Sequence, residues 1–220
     1  MIIKGNTIPD VWFQSLYNIF DYGIKYTIDK GSMEGESRLQ YEYITLIIDN
    51  PYLTPWSDML PEIPSNLNVP NPVTSEYLNS YVTYLMTDCK EPGEDYTYGE
   101  RMSFQIDHWI NILKIKPNTN QAILQVAKPD DCYLNDPPCL RHVAMNIYDN
   151  KLNFYPYFRS WDLWNGLPAN LAGLAIVQKY IADELSINVG KMIATSNGLH
   201  IYGYAEEIAR LRTYKHSGGR

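Results

Sequence analysis

Apolar residues along the chain switch between helical and extended spacing, and the switches outline the elements. Val11, Trp12, Leu16, Ile19 and Phe20 share one side of a 3.6-residue repeat. Thr7-Ile8-Pro9-Asp10 opens that helix as a capping box with proline in the first turn, and Gly23 closes it. Ile24 to Asp29 is short and β-prone, and Leu39 to Ile48, rich in Tyr, Ile and Thr, predicts a longer strand. The polar stretch from Lys30 to Glu36 between them is a glycine-punctuated loop. Residues 49–72 carry six prolines, which predicts an irregular connection within one domain.

A second helix starts at Thr74 or Ser75, with Leu78, Tyr81, Val82 and Leu85 on one face. A third is expected over 102–115 through Ile106, Trp109, Ile110 and Leu113. Gln121 to Ala127 reads as a strand, and Leu140–Tyr148 with Lys151–Phe158 as a hairpin turning at Asp149-Asn150. The most apolar helix covers 170–185, where Leu171, Leu174, Ala175, Ile181 and Leu185 meet few charges, so it is expected at the centre. Strands near 189–195 and 199–204 precede a last helix at 205–214. Helices mixed with both hairpin and separated strands make an α+β pattern, and 220 residues without repeats fit one domain.

Composition narrows the function. Lys and Arg total 18 against 25 for Asp and Glu, a formal charge of −7, which argues against binding a nucleic-acid backbone. No apolar run reaches the ~18 residues of a membrane span, and no leader pattern opens the chain, so a cytoplasmic location is expected. Cys89, Cys132 and Cys139 cannot all pair and show no C-x-x-C spacing, and the four histidines lack metal-ligand spacing. Neither a disulfide framework nor a metal site is expected. The 19 tyrosines indicate many half-buried amphipathic rings.

The stretch richest in chemistry begins at Asp136-Pro137-Pro138-Cys139-Leu140, where two prolines fix the chain as it delivers a thiol to a strand. That thiol is either a small buried hydrophobe or a nucleophile, and a nucleophile needs a nearby cation. Arg159-Ser160-Trp161-Asp162 follows, and its ordinary reading is an i, i+3 ion pair. In Gly166-Leu167-Pro168-Ala169-Asn170 the ordinary role of Asn170 is a helix cap. His200 and Tyr202 point to one face of a strand, as an edge pair would.

Taken in order, these segments resemble the thymidylate synthase family, from Cys139 through Arg159-Ser160-Trp161-Asp162 and Gly166-Leu167-Pro168-Ala169-Asn170 to His200-Ile201-Tyr202. The N-terminal half resembles the short archaeal and viral members more weakly, through Asp29-Lys30-Gly31, Tyr98-Gly99 and Ser75-Glu76. The resemblance implies a mixed sheet packed with helices, one side of which forms a homodimer interface. It also implies C5 one-carbon transfer to a pyrimidine nucleoside monophosphate, with 5,10-methylenetetrahydrofolate or a related methylene-pterin as cofactor. Cys139 is then the nucleophile that adds at C6, Arg159 the cation beside thiolate and phosphate, and Asn170 the reader of the pyrimidine edge. Glu76 and Tyr98 match the positions that manage protons. Lys30, Ser160, Asp162, His200 and Tyr202 match positions that seat phosphate, base and sugar. Relatives acting on cytosine tend to carry Asp at the position of Asn170, so dUMP is favoured.

The departures are specific. Thr119-Asn120-Gln121 stands where the family places the arginines that a partner subunit lends to the phosphate. The charge then falls to Lys30 and Arg159, with Arg38, Arg101 or Arg141 as substitutes. Ala169 replaces a phenylalanine near the folate, Leu140 replaces a histidine, and the run His216-Ser217-Gly218-Gly219-Arg220 is not an apolar closing tail. These changes keep C5 hydroxymethylation open beside methylation to dTMP, because water reaching the site decides the product. A nucleotide- or RNA-binding relative without catalysis is the third reading.

Overall fold

The computed structural model describes residues 1–31, 33–59 and 73–215. Its elements run β1 (Ile2–Gly5), α1 (Ile8–Tyr22), β2 (Ile24–Thr27), β3 (Ser37–Gln40), β4 (Ile44–Ile48), α2 (Ser75–Met86) and α3 (Tyr98–Ile115). Then follow β5 (Ile123–Gln125), β6 (Leu140–Tyr148), β7 (Lys151–Phe158), β8 (Trp161–Asp162), α4 (Gly166–Glu184), β9 (Asn188–Ser196), β10 (Leu199–Tyr202) and α5 (Gly203–Thr213). A large mixed sheet has the strand order β1-β4-β9-β7-β6-β5, and a small one the order β2-β3-β10-β8. The α+β class holds.

One face of the large sheet supplies the core. Ile44, Leu46 and Ile48 of β4, Phe154 and Phe158 of β7, and Met192 and Ala194 of β9 are all fully buried. Helix α4 packs on β7 and β9 with α1 beside it, and it is buried nearly all round, as its apolar sequence requires. The other face carries half-buried Thr45, Ile47, Asn153, Tyr155, Tyr157 and Ile193, alternating with the core positions as the pleat demands.

Several boundaries differ from the sequence expectation. Leu39 to Ile48 is two strands in two sheets: β3 pairs with β10, whereas β4 pairs with β1 and β9. Tyr41 marks the crossing, buried with its phenol donating to the Ser15 carbonyl at 2.7 Å. Helix α3 begins at Tyr98 rather than 102, because Thr97 and Glu100 form a reciprocal capping box ahead of it. Gly99 is a poor helix former that the packing demands, since a Cβ there would lie 1.9 Å from the Thr87 carbonyl oxygen. Helix α4 begins at Gly166 with Pro168 in its first turn, where the missing N–H costs nothing. Asn170 therefore lies inside the helix, not at its cap. Strand β5 is shorter than 121–127, and the four-residue β1 and two-residue β8 carry too little periodicity to be read.

The hairpin expectation holds in detail. Asp149 and Asn150 have φ of 50° and 54°, and Tyr148 pairs with Lys151 across a two-residue turn. Much of the 49–72 connection and the tail from His216 lie outside the described residues.

Candidate active site

Backbone pairing assembles the site. The Arg159 N–H donates to the Cys139 carbonyl at 2.9 Å, and Leu140 pairs with Phe158, so the thiol and the guanidinium leave neighbouring strands side by side. Strand β8 runs parallel to β10 with Asp162 beside His200, while β3 runs antiparallel with Gln40 beside His200 and Arg38 beside Tyr202. Directly paired residues share a face of the sheet. Arg38, Gln40, His200, Tyr202 and Asp162 are thereby gathered on one side of the small sheet.

Cys139 is half-buried. Burial pushes its thiol up from the ordinary value; the Arg159 guanidinium pulls it down, Asp136 pushes it up again and Arg141 pulls it down, and the net shift is upward. Arg159 does not pair with Asp162, so the i, i+3 reading fails. Its Nη2 donates to Asp136 Oδ1 at 2.9 Å and to the Pro137 carbonyl, and its Nε lies 3.2 Å from the carbonyls of Pro137 and Pro138. The guanidinium thus clamps the loop that delivers Cys139, and Nη1 has no partner among the described residues.

Asn170 is held at both ends of its amide. Trp161 Nε1–H donates to Oδ1 at 2.9 Å, and Nδ2 donates to the Tyr81 hydroxyl at 2.5 Å. Tyr81 in turn interacts electrostatically with the Cys139 sulfur. The Tyr98 hydroxyl accepts the Leu140 N–H at 3.3 Å, one residue past the thiol, and burial drives its phenol well above the usual range. Tyr77, Tyr81, Tyr84, Tyr98 and Tyr96 follow one another at ring separations of 5.7 to 6.4 Å, which accounts for part of the tyrosine excess.

Glu76 does not join this cluster. It is exposed in the first turn of α2, on the side of Asn79 and Ser80, and the α2 side chain that reaches Asn170 is Tyr81. The expectation followed the local match Ser75-Glu76, but the helix turns that position outward.

Asp162 is a loop anchor. Its Oδ1 accepts the N–H groups of Trp164 and Asn165 at 2.9 and 3.2 Å, and burial raises its carboxyl to about 6 despite those bonds. His200 is 1% exposed, and its Nδ1 lies 2.7 Å from the Gly198 carbonyl. A carbonyl only accepts, so Nδ1 carries the proton and Nε2 is left as a buried acceptor without a partner among the described residues. Burial lowers the imidazole to about 4, so it is neutral at pH 7.

A polar cleft of about 380 Å³ opens beside these groups, lined by Lys30, Arg38, Gln40, Arg159, Ser160 and Asn197 among others. Arg38 brings a buried Nε that has no partner among the described residues. Arg101 does not serve this cleft. It is buried, 2.6 Å from Asp131 and 3.0 Å from the Val126 carbonyl. Arg141 is likewise engaged, by the Pro138 carbonyl at 3.2 Å and Asp131 at 3.5 Å. Among the described residues no cluster of His, Cys, Asp and Glu could hold a metal ion, and no helix is long and apolar enough to cross a membrane.

Tyr81, Trp161 and Asp136 were not singled out as site residues from sequence. Tyr81 reads as a core position of an amphipathic helix, and Trp161 sits unremarked between Ser160 and Asp162. Only the docking of α2 on α4 brings Tyr81 to Asn170.

An α+β fold that sets a half-buried thiol beside guanidinium 159, next to a cationic cleft, suits an enzyme of the methyl- or hydroxymethyl-transfer class. The thymidylate synthase family model matches residues 77–215, more than half of the chain, so the chain belongs to that family. It is 29% identical over 210 residues to a protein of Methanosarcina barkeri provisionally named thymidylate synthase, covering 92% of this chain and 90% of the relative. A similarly named protein of Methanopyrus kandleri is 24% identical over 211 residues, covering 92% and 93%. The thymidylate synthase of Listeria monocytogenes is 32% identical over 99 residues, which is 44% of this chain and 32% of that protein.

Proposed function

We propose that the chain converts dUMP to dTMP by reductive methylation at C5, with 5,10-methylenetetrahydrofolate or a related methylene-pterin as cofactor, and works as a homodimer. The observation that carries this reading is Cys139 beside Arg159, whose backbone N–H donates to the Cys139 carbonyl at 2.9 Å and whose guanidinium pulls the thiol down, together with Asn170 held by the Tyr81 hydroxyl. C5 of uracil is a weak nucleophile. Addition of the Cys139 thiolate at C6 makes the ring an enolate that attacks a one-carbon electrophile from C5. The amide of Asn170 offers N–H to O4 and a carbonyl to N3–H, and steadies charge growing on O4.

Arg159 Nη1, Lys30, Ser160 and Arg38 suit the phosphate dianion, because guanidinium and phosphate form charge-assisted bonds. The neutral Nε2 of His200 suits a sugar hydroxyl, the donor it lacks. Tyr98 stays a neutral phenol, so its role in loss of the C5 proton is to hold a water by hydrogen bonding rather than to act as the base itself.

The residues present fit a pterin. The buried Asp162 carboxyl, which already accepts the Trp164 and Asn165 N–H groups at Oδ1, is an acceptor suited to an amino and ring N–H edge, and Tyr77 and Tyr81 stack at 11° to offer a flat apolar wall. The cofactor, when bound, supplies the one-carbon unit and the hydride that completes a methyl group. Ala169 and the tail from His216 are the features that favour hydroxymethylation; Ala169 is buried at 3% exposure, and the tail lies outside the described residues.

Incubation with dUMP, dCMP or UMP plus methylenetetrahydrofolate, read by product mass and dihydrofolate absorbance, tests the reading. dTMP with stoichiometric dihydrofolate supports it. A hydroxymethyl product with tetrahydrofolate returned replaces it with hydroxymethylation, and no turnover of any pyrimidine monophosphate contradicts it.

A further inference from the structure

We propose that Trp161 and Tyr81 are specificity-determining positioning residues, which lock the Asn170 amide in one orientation and so decide which pyrimidine edge the site accepts. The inference rests on the reading that Asn170 faces a pyrimidine base.

A primary amide is ambiguous by itself. Turned over by 180°, it exchanges donor for acceptor at little cost in shape. Uracil presents an acceptor at O4 beside a donor at N3–H. Cytosine presents a donor at its 4-amino group beside an acceptor at N3. An asparagine free to turn over would serve both edges alike, whereas a fixed one serves one and opposes the other.

The structure supplies the lock. Indole N–H donates and never accepts, so Trp161 Nε1 at 2.9 Å requires the oxygen of Asn170 on its side. Turning the amide over would set N–H against N–H and forfeit that bond. The Tyr81 hydroxyl accepts from Nδ2 at 2.5 Å on the other side. One Nδ2–H and one oxygen lone pair remain, in fixed positions, for a base.

Both partners are themselves immobilised. Trp161 is 2% exposed, stacks on Phe158 at 4.1 Å and 5°, and sits in β8, where it pairs with Leu199. Tyr81 is stacked between Tyr77 and Tyr84, and its ring lies flush on α4 at Gly173. A Cβ at Gly173 would fall 2.7 Å from Tyr81 Cδ1, so the absence of a side chain there is what lets the phenol reach Asn170. A pair that merely satisfied a buried amide would not need two rigid rings and a glycine cut-out, and Asn170 is only half-buried.

Calorimetric binding of dUMP and dCMP to the full chain, wild type against Trp161→Phe and Tyr81→Phe, reads the lock directly. Tyr81→Phe keeps the ring and removes only the hydroxyl, and Trp161→Phe keeps an aromatic ring in the slot and removes the indole N–H. The wild type should prefer dUMP. In Trp161→Phe the ratio of the two dissociation constants should fall by roughly tenfold, the scale of one lost hydrogen bond at a half-buried group, with dCMP binding held or improved. Tyr81→Phe should lower the ratio in the same direction, and it carries the test should Trp161→Phe not fold. Gly173→Ala should mimic Tyr81→Phe. If the folded variants weaken both nucleotides by the same factor, so that the ratio stands, the lock is overturned while the substrate reading survives. If the wild type binds neither nucleotide, the substrate reading falls and takes this inference with it.

Discussion

Cys139 illustrates how a reactive group is set by opposing neighbours rather than by its own strand. Burial and the Asp136 carboxylate both raise the thiol, while Arg159 lowers it. Asp136 also occupies Nη2 of that same guanidinium at 2.9 Å. Asp136→Asn should therefore lower the thiol's pKa and move the midpoint of Cys139 alkylation by iodoacetamide to lower pH. An unchanged midpoint would show that the Asp136 carboxylate does not tune the sulfur. Arg38→Ala should raise KM for the nucleotide at least several-fold and leave kcat much less affected, since a phosphate contact distant from C5 acts on binding. A fall in kcat with KM constant would remove Arg38 from the phosphate cleft. At this scale the ordered motifs Cys139, Arg159-Ser160-Trp161-Asp162 and Asn170 were legible. The partners of Asn170 were not, because a hydrogen bond between α2 and α4 spans 89 positions and leaves no local pattern.

Elements follow the sequence where capping or turn chemistry is explicit. Thr7 through Asp10 caps α1, and Asp149-Asn150 turns the β6–β7 hairpin. The sequence misleads where a boundary depends on tertiary contact. Leu39 to Ile48 has the composition of one strand, yet Tyr41 anchors it to α1 and divides it between two sheets. Helix α3 also carries a structural ion pair that competes with function for a cation. Arg101 and Asp131 sit 2.6 Å apart at 6% and 4% side-chain exposure, and Asp131 also accepts the Lys128 N–H. Burial alone would raise Asp131, but the Lys128 N–H and Arg101 overcome it and hold the carboxyl below its usual value. Arg101→Ala, which removes one partner of that buried charge and leaves Arg141 and the Lys128 N–H, should cost about 1.5–3 kcal/mol in urea unfolding. The lowered carboxyl contributes stability that is present above the unfolded-state value and lost as pH falls through the folded one. Asp131→Asn should accordingly flatten the acid limb of stability against pH, and an unaltered limb would show that the pair carries no such linkage.

For the whole molecule, the two sheets divide the labour. The large one builds the core under α4 and delivers Cys139 and Arg159, and the small one gathers His200, Tyr202 and Arg38 on a single face. The half-buried Ile47, Tyr155, Tyr157 and Ile193 on the outer face of the large sheet are the surface on which we place the second subunit. Sedimentation should give a dimer, and Tyr155→Asp should convert it to monomer; a wild-type monomer would refute that placement. With the cleft holding Lys30, Arg38 and Arg159 in one chain, such a monomer should still bind dUMP. The account as a whole stands on sulfur adding to carbon. Intact-mass spectrometry after mixing the protein with 5-fluoro-dUMP and methylenetetrahydrofolate tests this most directly, because fluorine cannot leave C5 as a proton does and the adduct accumulates. The wild type should gain the combined mass, which digestion should map to the peptide containing Cys139, and Cys139→Ser should gain nothing. An unmodified wild type, or an adduct that survives Cys139→Ser, would contradict the account.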